Sequence, residues 1–204
     1  MPPIVSEEYK QKKKREILDS ALDCFAKKGF QVATIDDIVK RSGISKGAIY
    51  NYFKSKDEIY LELMREQTVT SNAKLLEKLS NLRTAREKLI YLFGVYIGMD
   101  PYEEDRRKII IVHLEFTLNS SRSEEINKIL KERGRKFFIQ LIIEIIEEGQ
   151  KLGEFRRDLE RQVIANMFWT LMDGAMLHTI INNEYPYTEV LDNYQKMILN
   201  YLEC

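Results

Sequence analysis

Residues 45–56, SKGAIYNYFKSK, crowd lysines, aromatic rings and a glycine into a dozen positions. On a wheel of about 100° per residue, Lys46, Gly47, Tyr50 and Asn51 fall on one side. Ala48, Ile49, Tyr52 and Phe53 fall on the other and can anchor a helix to a core. The first side offers a cation, bare backbone, a phenol and an amide, which are groups suited to a DNA groove. Lysine attracts phosphate or sits beside guanine O6 and N7. Glycine permits close approach to base edges. A tyrosine ring can meet a thymine methyl while its hydroxyl donates to phosphate, and Asn51 can donate similarly or read adenine. Taken singly, each residue would more often be a core aromatic or a solvated lysine. Their grouping on one face points to nucleic acid.

The flanking sequence supplies elements to hold that face. A first helix is expected over about residues 7–28, with Ile17, Leu18, Ala21, Leu22, Phe25 and Ala26 in one stripe and Gly29 at its end. Thr34 reads as the N-cap of a two-turn helix whose first turn carries Asp36 and Asp37. Ser42-Gly43 breaks it, and Ser45 caps the next. Ser55 followed by Glu58 reads as a capping box that starts a longer helix through Ile59 and Leu63. Two short helices joined by a glycine-containing turn form the helix-turn-helix pattern, whose second helix enters the major groove. Thr34 and Lys56 stand at helix N-termini, where a phosphate is favoured.

Beyond residue 80 the pattern stays helical, over about 83–99, 103–118, 123–151, 159–182 and 188–202, with no strand-like alternation. The fold class is therefore all-α with about nine helices. A helix-turn-helix domain is expected over 1–56, extending into the connecting helix at 56–65, and a helical domain over 57–204.

With 204 residues, 44% hydrophobic and 31% charged, the chain is globular in composition. No apolar run approaches the roughly 20 residues of a membrane span, and no secretory leader is evident. Cys24 and Cys204 do not form a disulfide framework, so a cytoplasmic protein without membrane partners is expected. Formal net charge is zero, yet the charge is polarised. Through Lys56 there are 12 basic and 7 acidic residues, and the remainder carries 20 and 25.

The run ILDSALDCFAKKGFQVATIDDIVKRSGISKGAIYNYFKSKDEIYLEL, residues 17–63, resembles the N-terminal domain of the TetR family of transcriptional regulators. The shared features are the A-x-x-x-F helix, the G-F-x-x-A-T turn, the G-I-S-K-G-x-I-Y-x-Y-F recognition unit and the capped K-S-K-D-E helix. In that family, residues matching Thr34, Ser45, Lys46, Gly47, Tyr50, Asn51, Tyr52 and Lys56 commonly contact DNA. Tyr52 lies on the inner side of the wheel, whereas the family often turns this residue to phosphate. The resemblance further implies a C-terminal domain that binds a small-molecule effector and forms a homodimer. It implies a ligand-responsive repressor on a near-palindromic, double-stranded DNA operator.

In the body, residues 163–177 carry apolar side chains on more than one stripe, so that helix must be buried on two sides. The last helix has a stripe of Val190, Leu191, Tyr194, Met197, Ile198, Tyr201 and Leu202. Trp169, Gly174, Ala175, Leu191, Tyr194 and Ile198 are the expected dimer contacts. Phe93, Tyr96, Met99, His113, Phe116, Phe168, Trp169, Met172 and His178 are candidates for lining an effector pocket. Aromatic and Met residues at helical spacing are more often plain core. His113 and His178 are the two histidines. Glu115 falls about 200° from His113 on a helix, which does not make a metal site. No metal, cofactor or catalytic constellation is expected, so the chain is not read as an enzyme. The competing classes are a helical enzyme working in a body cavity and an interaction module whose DNA binding ignores sequence and yields to salt.

Overall fold

The structure is a computed structural model that describes residues 6–203, with side chains described at all of these except 67 and 69–72. Among the described residues it has ten α-helices and no strand. They are α1 (Glu7–Lys28), α2 (Ile35–Ser42), α3 (Lys46–Tyr50), α4 (Lys56–Ser80), α5 (Ala85–Ile97), α6 (Glu104–Ser120), α7 (Glu124–Gly134), α8 (Gln140–Leu152), α9 (Arg161–Ile181) and α10 (Tyr187–Leu202). The single helix expected over 123–151 is divided by a π turn, Arg135–Ile139, which separates α7 from α8 and raises the count above nine. Cys24 is buried with a free thiol, and Cys204 lies outside the described residues.

Two apolar cores organise these helices. The first joins Ile17, Leu18, Ala21 and Phe25 of α1 to Ile38, Ile49, Phe53 and the start of α4. It also takes in Val112 and Phe116 of α6. The second fills the body with Leu89, Phe93, Ile142, Ile146, Ile164, Phe168, Met172, Leu191, Ile198 and Leu202. A fully buried Phe or Ile contributes about 1.5–3 kcal/mol, so each core is a substantial driving term.

Local signals set where the helices begin and end. The Thr34 hydroxyl accepts the Asp37 N–H at 3.2 Å and the Asp37 carboxylate accepts the Thr34 N–H at 3.0 Å, closing a capping box. Gly43 ends α2 in the left-handed region at φ 68°, which favours glycine over any residue bearing a Cβ. At α4, Ser55 accepts the Glu58 N–H at 3.1 Å. The Glu58 carboxylate, however, takes the N–H of Lys54 rather than that of Ser55, so the expected reciprocal box is only half formed.

Candidate nucleic-acid interface

Three residues, Gly43 to Ser45, separate α2 from α3. Ile44 turns inward and Ser45 caps α3 by accepting the Ala48 N–H at 3.3 Å. The helix is short because its chain tightens after Tyr50, where Tyr52 and Phe53 both donate their N–H groups to Ile49 O. Ile49 and Phe53 are buried, and Ala48 and Tyr52 are half-buried against the same core. Lys46, Gly47, Tyr50 and Asn51 are exposed, with Tyr50 at 47%. The two-sided wheel is thus realised in three dimensions. A Cβ at Gly47 would meet nothing within 4 Å, so its bare backbone faces open space.

Charge around this face is partly committed. The Lys46 ammonium pairs with Asp36 at 2.8 Å, and Lys28 pairs with Asp37 at 2.5 Å. That bond from Lys28, backed by the Thr34 N–H and hydroxyl, lowers the Asp37 carboxyl to about 2. Arg41 holds Asp23, while Lys14 and Arg15 reach Glu62 and Glu66 of α4. Among the described residues, Lys12, Lys27, Lys40 and Lys54 have exposed side chains and no acidic partner within ion-pair distance. These are the cations left for a polyanion.

Lys56 departs from the expected phosphate contact. Its ammonium is drawn inward and donates to the carbonyls of Phe30, Gln31 and Ala33 at 2.7, 2.8 and 3.3 Å. It also lies 4.7 Å from the centre of the Phe30 ring. Burial lowers its pKa. The side chain therefore ties the turn after α1 to the start of α4, and only the backbone N–H groups there remain for phosphate. The same turn is held from the body, because Glu115 of α6 accepts the Phe30 N–H at 2.9 Å. Sequence pattern gave no hint of either contact, since the partners are separated by 26 and 85 positions.

The nine residues considered for an effector pocket are not brought into one cavity. Phe93, Phe168 and Met172 are buried together in the body, with the Phe rings edge to face at 5.0 Å. Tyr96 and Trp169 lie beside them, 6.0 Å apart. His113 and Phe116 stand instead at the junction of α6 with α4: Tyr60 stacks on Phe116 at 3.5 Å. His178 stacks on Tyr185 at 5.2 Å. Met99 borders an open hollow of about 550 Å³ lined by residues 97–102 and 185–189.

The expected dimer contacts also need correction. Ala175, Leu191 and Ile198 are at most 1% exposed and face the chain's own core, so they have no surface to give a partner. Trp169 and Tyr194 are half-buried against the same core, and Gly174 is half-buried with open space beside it. The outward apolar side chains of α9 and α10 are Val163, Leu177, Ile181, Met197 and Tyr201, with Ile181 at 69%. Among the described residues no helix is long and apolar enough to cross a membrane, and no cluster of three His, Cys, Asp or Glu could hold a metal.

Comparison with known proteins agrees with this geometry. Residues 17–63 match the family described as bacterial regulatory proteins, tetR family. Residues 99–186 match the tetracyclin repressor-like C-terminal domain. The uncharacterized HTH-type transcriptional regulator YfiR of Bacillus subtilis is 28% identical over 90% of this chain and 88% of its own length. The structure of a transcriptional regulator from Saccharomonospora viridis in complex with choline superposes with a TM-score of 0.80 at 24% identity, covering 95% of this chain and 99% of that one. FadR from Bacillus subtilis in complex with stearoyl-CoA gives 0.75 at 23% identity, covering 93% and 99%.

Proposed function

Since the chain belongs to the TetR family of bacterial transcriptional regulators, we propose that it is a ligand-responsive repressor that binds a near-palindromic operator as a homodimer. The observation that carries the reading is α3 itself: Ile49 and Phe53 lock it to the core while Lys46, Gly47, Tyr50 and Asn51 are exposed on the opposite face. On this reading Tyr50 and Asn51 meet base edges, and Lys46, Ser45, Thr34 and the backbone at the start of α4 meet phosphates. Tyr52 sits at the rim. The outward residues of α9 and α10 supply the two-fold contact, which sets two copies of α3 about one DNA turn apart or a multiple.

Two structural neighbours were solved with small molecules, choline and stearoyl-CoA, which supports an effector in the body here. An effector that binds one arrangement of the body better would shift the population away from operator binding by its differential affinity. The test is fluorescence-anisotropy binding to DNA upstream of the protein's own coding region against scrambled DNA, at several salt concentrations, with wild type and Tyr50→Ala. A sequence preference that survives moderate salt and is lost in Tyr50→Ala is expected. If selection from random duplexes also yields no preferred site, the regulator reading fails.

A further inference from the structure

Among the described residues, two buried side-chain polar atoms lack a hydrogen-bond partner, Nε of Arg133 and Nε1 of Trp169. They come from different helices, α7 and α9, yet both pack against one ring. The Arg133 guanidinium lies 5.7 Å from the centre of Phe138, and the Trp169 ring lies 4.9 Å from it. Phe138 belongs to the π turn, a local widening that recurs at functional sites. Both orphan atoms are donors. What is missing is an acceptor.

Arg133 sharpens the point. Every Asp and Glu of the chain lies among the described residues, and none is within ion-pair distance of this guanidinium. Its neighbours in sequence offer none either: Ile129, Leu130, Lys136 and Phe137 occupy the positions three and four away. Its terminal nitrogen donates to Met64 O at 3.1 Å and to the Thr68 hydroxyl, both on α4. Arg133 is half-buried with its Nε enclosed. An enclosed cationic donor with no counter-charge in reach is costly, so the fold leaves a place suited to an anion.

The geometry points to an organic-anion site at this junction of α4, α7 and α9, in which Arg133 Nε and Trp169 Nε1 hold a carboxylate and the surrounding rings hold an apolar body. Those rings are Phe138, Tyr96 and Phe168, at 4.9, 6.0 and 5.2 Å from Trp169. The inference rests on reading the body as an effector domain. Asp173, one turn beyond Trp169 on α9, is the acid that acts on Tyr96 and would favour a cation instead. Asp173 is exposed as a residue, while desolvation of its carboxyl raises its pKa, which favours the neutral acid over a counter-charge for a cation. The two orphan donors, by contrast, are closed off. The anion is therefore preferred.

Trp169 is the single tryptophan of the chain, so the site carries its own reporter. The experiment titrates the full-length protein with dodecanoate, dodecanol and dodecyltrimethylammonium below their micellar ranges, following tryptophan fluorescence, with operator release read in parallel. Saturable binding of dodecanoate is expected, about tenfold tighter than either other probe and weakened about tenfold by Arg133→Met. Should Arg133→Met not fold, Trp169→Phe followed by calorimetry removes the other donor while keeping a ring, and a loss of about fivefold is expected. No saturable response to dodecanoate, equal binding of the alcohol or the cation, or unchanged affinity in the folded variant would overturn the anion site. Operator release by the cation or the alcohol alone would overturn it too, while leaving the ligand-responsive reading intact.

Discussion

The hydroxyl of Tyr60 on α4 lies 2.8 Å from Nδ1 of His113 on α6. Burial raises the Tyr60 pKa, so the phenol keeps its proton. Desolvation, with the charge of Arg133, lowers the His113 pKa and keeps its ring neutral at neutral pH. The bond joins the helix that leaves the head to a helix of the body, beside the stacked ring of Phe116.

This pairing predicts a pH dependence of stability. Desolvation first, and the charge of Arg133 second, lower the His113 pKa toward about 4, from about 6.5 in the unfolded chain. Between these values the unfolded state binds more protons. Because the residue keeps contact with solvent, the stability at stake is screened and small. The contribution is complete above pH ~6.5 and is lost as pH falls through about 4. Urea midpoints measured across that window should decline in wild type and flatten in His113→Asn, which keeps an acceptor without a titrating group. Glu62, lowered to about 2 by its bonds with Arg65 and Lys14, acts in a separate, more acid window.

Two lysines of the opening motif should behave oppositely. Lys46 is exposed and its pair with Asp36 is open to solvent, so Lys46→Ala should change stability by at most about 0.5 kcal/mol. DNA binding should weaken across all sequences, with the salt slope reduced by about one unit. Lys56→Met strips three carbonyls of their donor and should cost about 2–3 kcal/mol. Thermal melts and salt-dependent anisotropy on both variants separate a contact from a staple. Matched melting temperatures would refute the assignment.

Gly149→Ala should destabilise despite improving helix propensity. An added Cβ would come within 2.1 Å of the Phe155 ring, which is itself 2% exposed and cannot swing away. Alanine gains about 1 kcal/mol over glycine in a helix, while overpacking costs about 1–3 kcal/mol. A net loss of up to about 2 kcal/mol is expected, or a melting temperature lower by up to several degrees. A more stable variant would mean that the ring has room the structure does not show.

What could be read from sequence was what is local. The sidedness of residues 45–53 follows from helical period, and the caps Thr34, Ser45 and Ser55 follow from the residue types that can reach an N–H three positions on. What could not be read depends on contacts distant in sequence. Lys56 looks like any lysine at a helix start until three carbonyls from another turn surround it. Ile109, Val112 and Phe116 line one face of α6, and only the docking of α6 against α1 sends that face to the N-terminal core. On α9 and α10, apolar residues occur on both faces, so period alone did not say which one turns outward. The π turn leaves no mark in composition.

The first core draws Val112 and Phe116 from a helix that begins nearly fifty positions after the recognition motif ends. Cutting the chain after Lys56 would leave Phe30, which packs edge-on against Phe25, without the Tyr60 and Phe116 rings that meet it. The DNA-binding portion is thus not a transplantable cassette. A chimera that borrows this head for another regulator's specificity must carry the α6 face with it, Val112, Glu115 and Phe116 included, or choose a recipient whose own helix supplies the same relief.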